Sequence, residues 1–251
     1  MAASKGKSMA KGLLMGVVFV VVLILMFSPL FPGGVNAFTY SDDLFNAMSK
    51  GSTESYIPKQ LKGAEKYAGK TVDLTLEFKD GEVEEAAGYH SVGTEIAANV
   101  AKVLSGVAAK AEVSGNKLAF SGDLGAVLKA GLTDAQAMFD GKNEAIAAKY
   151  EGMDAKTAVF AWWKLFRELN RKLIIANKAG EAKAVDSALK KGIELGYNFA
   201  GIPAVKASEN VAILSGSLVF YVVYTLWWGM AIMFIFEGLG LVMKKGKKKE
   251  M

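Results

Sequence analysis

The chain contains no cysteine and only one histidine, and these shortages exclude several kinds of site. Without cysteine there is no disulfide framework, no thiolate metal site and no cysteine nucleophile. The single histidine, His90, supplies one ligand where zinc needs three or four, so we interpret it as a loop residue with a local hydrogen bond. A domain of this composition depends on its hydrophobic core alone, which is compatible with a bacterial periplasmic location.

The chain has no net positive charge outside its two ends. The net charge is +5, but the tails, residues 1–11 and 244–251, contain eight lysines and one glutamate. The residues between them contain 22 basic and 24 acidic side chains. A nucleic-acid-binding domain needs a basic face, so we expect no nucleic-acid partner.

The N-terminal lysines precede an apolar run, Gly12–Phe27, that has no charged residue. As a helix this run is about 24 Å long, slightly short of a hydrocarbon core of about 30 Å. Extending it to residues 12–31 reaches that length, although Pro29 is expected to break the helix. The run is either an uncleaved anchor or a signal sequence cut after Ala37, at the small-residue triplet Val35-Asn36-Ala37. In both cases the domain that begins at Phe38 is expected to be exported.

A second apolar run covers residues 212–243 and ends at the C-terminal lysines. It predicts a transmembrane helix that is longer than the bilayer and therefore tilts or begins outside it. Lysines beside apolar spans mark the cytoplasmic side. We therefore expect a bacterial inner-membrane protein with cytoplasmic tails and a periplasmic domain at residues 38–210.

Aromatic residues on this second run are predicted to share one helical face, because they recur at positions i, i+1, i+4, i+7 and i+8. Tryptophan and tyrosine are usually found at the membrane edges, whereas here the tryptophans fall near the middle of the span. The face either meets lipid or packs against another transmembrane helix, and we favour packing. The predicted contact residues are Phe220, Tyr221, Tyr224, Trp227 and Trp228.

Glu237 adds a carboxylate to the same span, where an acidic side chain is costly unless it meets protein, water or a counter-charge. It lies two turns before Lys244, so it can sit at the membrane interface or pair with a tail lysine. It can also contact a partner protein, or handle protons or ions within the span. The neighbouring Gly238 and Gly240 would permit close helix approach.

The middle of the chain predicts an α+β fold. Alternating apolar residues predict a strand at Thr71–Phe78, and a small hairpin is expected at residues 111–113 and 118–121. A helix at Thr94–Ala109 is expected to cover one face of this antiparallel sheet. Residues 38–69 are interpreted as a linker with one short helix, Asp42–Met48, followed by a break at residues 51–53 and an extended step at Ile57-Pro58.

The last part of this domain predicts a long helical hairpin. Asp154 is expected to cap a helix over Ala155–Lys178, and Gly180 separates it from a second helix over Glu181–Tyr197. The expected buried face of the first helix consists of Val159, Trp162, Trp163, Phe166, Leu169, Leu173 and Ile174.

A search for reactive groups gives no chemistry that can be named. The acidic residues Glu82, Glu84 and Glu85 do not have the spacing of a calcium loop, and we interpret them as solvated turn charges. Residues 122–125, Gly-Asp-Leu-Gly, lack the lysine and hydroxyl residue of a phosphate loop, so Asp123 is expected to begin a helix. Arg167 and Arg171 can bind an anion together or form a solvated face, and we favour the solvated face.

These observations favour a membrane-anchored structural, accessory or assembly protein rather than an enzyme. We expect no cofactor and no metal. The expected partners are the lipid bilayer and other membrane subunits or further copies of the chain. The alternative is a tethered extracytoplasmic module that binds or senses a small ligand between the α+β part and the helical hairpin.

Overall fold

The structure, a computed structural model, describes residues 2–80 and 92–241. They form two compact units. One is made from the two ends of the chain, residues 2–48 and 205–241, and the other is Ser49–Ala204.

The described residues are mostly helical, with one small sheet. The helices are α1 (Ala2–Phe27), α2 (Ala37–Thr53), α3 (Tyr56–Ala64), α4 (Gly93–Leu104), α5 (Leu124–Phe139), α6 (Asn143–Lys149), α7 (Ala155–Ile175), α8 (Ala179–Ala188), α9 (Glu194–Asn198) and α10 (Val211–Leu239). The strands are β1 (Thr71–Glu77), β2 (Ala108–Ser114) and β3 (Lys117–Asp123). A π-helical segment, Leu189–Ile193, joins α8 to α9.

The unit of the chain ends consists mainly of α1 and α10. Two stretches, Lys5–Phe27 and Ala207–Leu239, are long and apolar enough to cross a membrane. The prediction that Pro29 breaks the first helix is confirmed, because α1 ends at Phe27 and does not extend to residue 31. At the other end Gly240 adopts a left-handed conformation (φ 86°) that terminates α10 before residue 243.

The sheet of the Ser49–Ala204 unit has the order β1–β3–β2, and both strand pairs are antiparallel. The predicted strand and hairpin are therefore confirmed. The predicted helix at Thr94–Ala109 is right in its first three turns and wrong in its last. It ends at Leu104, Gly106 forms a left-handed turn (φ 82°), and Ala108 already begins β2.

The predicted short helix Asp42–Met48 is confirmed within a longer helix, but the interpretation of the rest of residues 38–69 as a linker is wrong. Helix α2 runs from Ala37 through Gly51 to Thr53, and α3 begins three residues later. Pro58 lies in the first turn of α3, where a missing N–H costs nothing because the first N–H groups of a helix have no partner within it. Ile57 is accordingly helical rather than extended.

The predicted helical hairpin is confirmed as α7 and the helical stretch α8–α9, but the break between them lies at Asn177 (φ 56°) and not at Gly180, which is within α8. Five of the seven predicted core residues of α7 are buried. Trp163 is only partly buried and Ile174 is 59% exposed, so the buried stripe is narrower than predicted.

Candidate functional site

Some of the predicted aromatic contact residues of α10 pack against α1, and others are exposed. Tyr224 stacks on Phe19 of α1 with ring centroids 4.1 Å apart, and the Trp228 ring lies 4.5 Å from the same phenylalanine. Phe220 stacks on Tyr224 at 5.2 Å but is 42% exposed, and Tyr221 is 67% exposed. The predicted face therefore packs against another helix at Tyr224, Trp227 and Trp228, and that helix belongs to the same chain.

Two of these side chains donate hydrogen bonds to the backbone of α1. The Tyr224 hydroxyl donates to the Phe19 carbonyl (2.8 Å), and the Trp227 indole N–H donates to the Met15 carbonyl (3.0 Å). Each carbonyl oxygen has a second lone pair besides the one used within the helix. An indole or phenol group in hydrocarbon needs such a partner, so these bonds fix the rotation of α10 against α1.

Small residues bring the backbones of the two helices together. A Cβ atom on Gly12 would lie 2.9 Å from the Ala231 carbonyl oxygen, and one on Gly238 would lie 2.7 Å from the Met9 Cβ. Ala231 is fully buried. The contacts run forwards along α1 and backwards along α10, so the pair is antiparallel.

The positions that face the partner helix repeat every seven residues. On α10 they include Ser217, Tyr224, Ala231 and Gly238, all of which are shielded more than their neighbours on the opposite side. On α1 the shielded residues include a series with alternating steps of four and three, Ser8, Gly12, Met15, Phe19, Val22 and Met26, together with Met9, Gly16 and Leu23 beside it. This is the spacing of helices that pack side by side over several turns.

Glu237 lies in the last turn of α10 and is partly buried. The Ser8 hydroxyl donates a long hydrogen bond (3.5 Å) to its Oε2. Of the two neighbouring glycines, Gly238 permits the close approach to α1, whereas Gly240 caps the helix. The proposed pairing with Lys244 lies outside the described residues.

The Ser49–Ala204 unit contains a buried lysine that the sequence pattern did not reveal. Lys50 is 6% exposed, and its ammonium donates to the carbonyls of Phe139 (2.5 Å), Phe199 (3.2 Å) and Ile202 (2.6 Å). Phe139 ends α5 and Phe199 follows α9, so the charge stabilises two negative helix ends. Burial lowers the Lys50 pKa, while Asp140 and Glu54 oppose that shift. All three protons of the ammonium are used, which assigns it a structural role.

A buried carboxylate was missed as well. Asp134 in α5 is 3% exposed and accepts hydrogen bonds from the Tyr150 hydroxyl, the Trp162 indole N–H (2.7 Å) and the Lys149 ammonium (2.8 Å). Burial, with the hydrogen bond to Asp134, raises the pKa of Tyr150, which keeps that phenol as a donor. The only feature of the sequence that indicates this buried role is the position of Asp134 on the apolar face of its helix.

A cavity of about 620 Å³ lies beside Lys50, between the end of α5 and the loop after α9. Its wall includes the side chains of Glu54, Gln136 and Asp140. The amide N–H of Gln136 donates to Asp140 (2.7 Å), while its buried Oε1 has no hydrogen-bond partner in the described part of the chain. This volume is in the range of small-ligand sites.

The other residues considered from the sequence have structural roles or lie outside the described ranges. Asp123 begins α5 as expected, since its carboxylate accepts from the Ala126 N–H (2.6 Å). Arg171 pairs with Glu168 (2.7 Å) on the same helix. His90 and the acidic residues Glu82, Glu84 and Glu85 are not among the described residues.

Within residues 2–80 and 92–241, no three His, Cys, Asp or Glu side chains are grouped so that they could hold a metal ion. No protein-family model, curated protein or solved structure matches the chain.

Proposed function

We propose that this protein is an accessory or assembly subunit of a bacterial inner membrane, anchored by α1 and α10, with the Ser49–Ala204 unit on the periplasmic side. It acts through contacts with other proteins. The observation that carries this proposal is the specific pairing of α1 with α10. Three interhelical hydrogen bonds, one of them long, and two glycine contacts join them, which is more than a cleaved signal sequence requires.

The orientation in this proposal rests on the lysines. Lys5, Lys7 and Lys11 lie at one end of α1, and the antiparallel arrangement brings the end of α10 to the same side. The C-terminal lysines follow α10 in sequence. Positive flanks are retained in the cytoplasm, which leaves the chain between the spans on the other side.

The contact surface in this proposal is the side of α10 that α1 leaves open. Phe220 and Tyr221 are exposed there, next to the Tyr224–Phe19 stack. In hydrocarbon, association depends on shape and on interhelical hydrogen bonds rather than on apolar burial. The Tyr221 hydroxyl offers such a donor, and Glu237 on the same helix offers an acceptor.

Purification of the full chain in a mild detergent tests this function. We expect a stoichiometric partner or a discrete homo-oligomer by light scattering. The Phe220→Leu/Tyr221→Leu variant should lose it, whereas Leu226→Val, an exposed apolar change on another side of the same helix, should keep it. A monodisperse monomer from membranes containing the native partners would contradict the proposal.

The second candidate is a tethered binding module, and the Lys50 cavity favours it. Its wall carries the carboxylates of Glu54 and Asp140, which can accept hydrogen bonds from a small ammonium or amine ligand. Ethanolamine and putrescine are suitable probes. A rise in the unfolding temperature of the full chain that is lost in Glu54→Gln but kept in Glu65→Gln, an exposed carboxylate outside the cavity, would support this function. Equal behaviour of the two variants would reject it.

A further inference from the structure

An apolar groove of about 410 Å³ runs along one side of the α1–α10 pair. Its α1 wall is formed by Lys11, Leu14, Met15 and Val18, and its α10 wall by Trp227, Met230 and Phe234. Lys11 is the single charged residue of this wall. We propose that the groove binds one anionic phospholipid, with the phosphate at Lys11 and an acyl chain between the helices. This inference rests on the proposed insertion of both helices in a bilayer.

The charge lies at one end of the groove and not along it. Lys11 is opposite Phe234 at the end that carries the other N-terminal lysines, and Val18 is opposite the Trp227 end. Seven helical residues separate Lys11 from Val18, which corresponds to a depth of about 10 Å. A groove with a positive charge at its mouth, the end at Lys11, matches a phospholipid, whose charged head group lies at the membrane surface and whose acyl chains lie below it.

The Lys11 ammonium is held at the mouth by an aromatic ring. It lies 4.0 Å from the centroid of Phe234, and within residues 2–80 and 92–241 no carboxylate pairs with it. A cation–π contact orients the ammonium without neutralising its charge. The charge therefore remains available to a phosphate, as in the basic pockets between transmembrane helices that bind anionic head groups.

The remainder of the groove offers no competing polar group. The Trp227 N–H, which would otherwise attract a polar ligand, is already donated to the Met15 carbonyl. The indole consequently presents ring carbon to the groove. Leu14, Val18 and Met230 are 66%, 41% and 42% exposed, so an acyl chain can reach their side chains from the bilayer.

The test uses quenching of Trp227 by brominated acyl chains. The full chain carrying Trp228→Phe is reconstituted into phosphatidylcholine vesicles in which a minority of the lipid is brominated. That lipid is either phosphatidylglycerol or phosphatidylcholine. A Trp227→Phe/Trp228→Phe chain gives the background from Trp162 and Trp163. We expect brominated phosphatidylglycerol to be enriched at Trp227 about fivefold, the factor for one lysine at an anionic surface.

The matched variants are Lys11→Gln and Lys7→Gln, which remove the same charge from the same end of α1. Only Lys11 lines the groove. The preference should disappear in Lys11→Gln and persist in Lys7→Gln, and added inorganic phosphate should not abolish it. Equal quenching by the two lipids, or an equal loss in both variants, would overturn the lipid site while leaving membrane insertion intact. Absence of quenching by either lipid would overturn insertion itself, and with it the proposed function.

Discussion

Among the described residues of the Ser49–Ala204 unit, two charged side chains lie in the interior, and both are fully hydrogen-bonded. Lys50 faces three carbonyls, and Asp134 faces a phenol, an indole and an ammonium. A buried charge is tolerated only when its hydrogen bonds are satisfied. Removal of either side chain therefore leaves its buried partners without a hydrogen bond. These residues are therefore expected to matter for stability.

Asp134→Ala should lower the free energy of unfolding by about 3 kcal/mol, because the Tyr150 hydroxyl and the Trp162 N–H lose their acceptor in the core. Lys149→Met is the control. Its ammonium side chain is 44% exposed, and exposed pairs contribute at most about 1 kcal/mol. Urea unfolding followed by tryptophan fluorescence measures both. Equal losses in the two variants would show that the ion pair, rather than the buried donors, supplies the stability.

Lys50→Met should also cost about 3 kcal/mol, since it leaves the ends of α5 and α9 without a donor. Lys59→Met, an exposed change in α3, should cost less than about 0.5 kcal/mol. Circular dichroism during urea unfolding gives both values. A loss in Lys50→Met no greater than in Lys59→Met would contradict the structural role of this ammonium.

The Lys50 pKa also predicts a dependence on pH. Burial lowers that pKa below its ordinary value of 10.5. Between the lowered value and 10.5 the unfolded chain binds more protons at this position than the folded chain, so stability rises with pH in that window. The advantage of the native chain over Lys50→Met should therefore be larger at about pH 9.5 than at about pH 7. A stability advantage of the native chain that decreases over this pH range would contradict the lowered Lys50 pKa.

At the scale of secondary-structure elements, a strict periodicity of apolar residues was the feature of the sequence that predicted an element correctly. The alternation in β1 and the apolar stripe of α7 predicted those elements correctly, since each pattern matches one buried face. Only the middle of helix α2, Asp42–Met48, was predicted, because the Gly and Ser residues that follow resemble a linker; in the structure the Ser52 and Thr53 hydroxyls donate to carbonyls of the helix itself. The roles of Lys50 and Asp134 depend on partners far along the chain, which no local pattern reveals.

Because α1 packs closely against α10, we expect that a larger side chain disrupts the pair at some positions of α1 and not at others. Gly12→Val should disrupt it, because a Cβ at Gly12 already lies 2.8 Å from Ile235 Cγ1, whereas Gly16→Val in the next turn meets open space. Since the chain has no cysteine, a Ser8→Cys/Glu237→Cys pair can be joined by a short bismaleimide and the yield read on a gel. We expect a reduced yield for Gly12→Val only. Equal yields would contradict the close approach.

At the scale of the whole molecule, the pairing of the first and last helices predicts that the N-terminal helix is retained. When these 251 residues are expressed and extracted from membranes, intact-mass measurement should therefore give about 26.7 kDa. A mass corresponding to a chain that begins at Phe38 would show that α1 is a cleaved signal. It would also remove the helix on which the proposed anchoring depends.

The same absence of cysteine allows orientation to be tested directly. Lys7→Cys should be protected from a membrane-impermeant maleimide in intact spheroplasts, and Asn143→Cys should react. Both should react after detergent lysis, which is the control for accessibility. The opposite pattern would place the Ser49–Ala204 unit in the cytoplasm.

The hydrogen bond between Tyr224 and Phe19 joins residues 205 positions apart, and this separation constrains the order of biosynthesis. At bacterial or slower elongation rates, α1 leaves the ribosome about 10–40 s before its partner. During that interval Gly12 and the other α1 residues that contact α10 have no partner helix. A chain that terminates early never covers them. The contact between α1 and α10 therefore forms only after synthesis has passed α10, and a chain cut short before that helix lacks it.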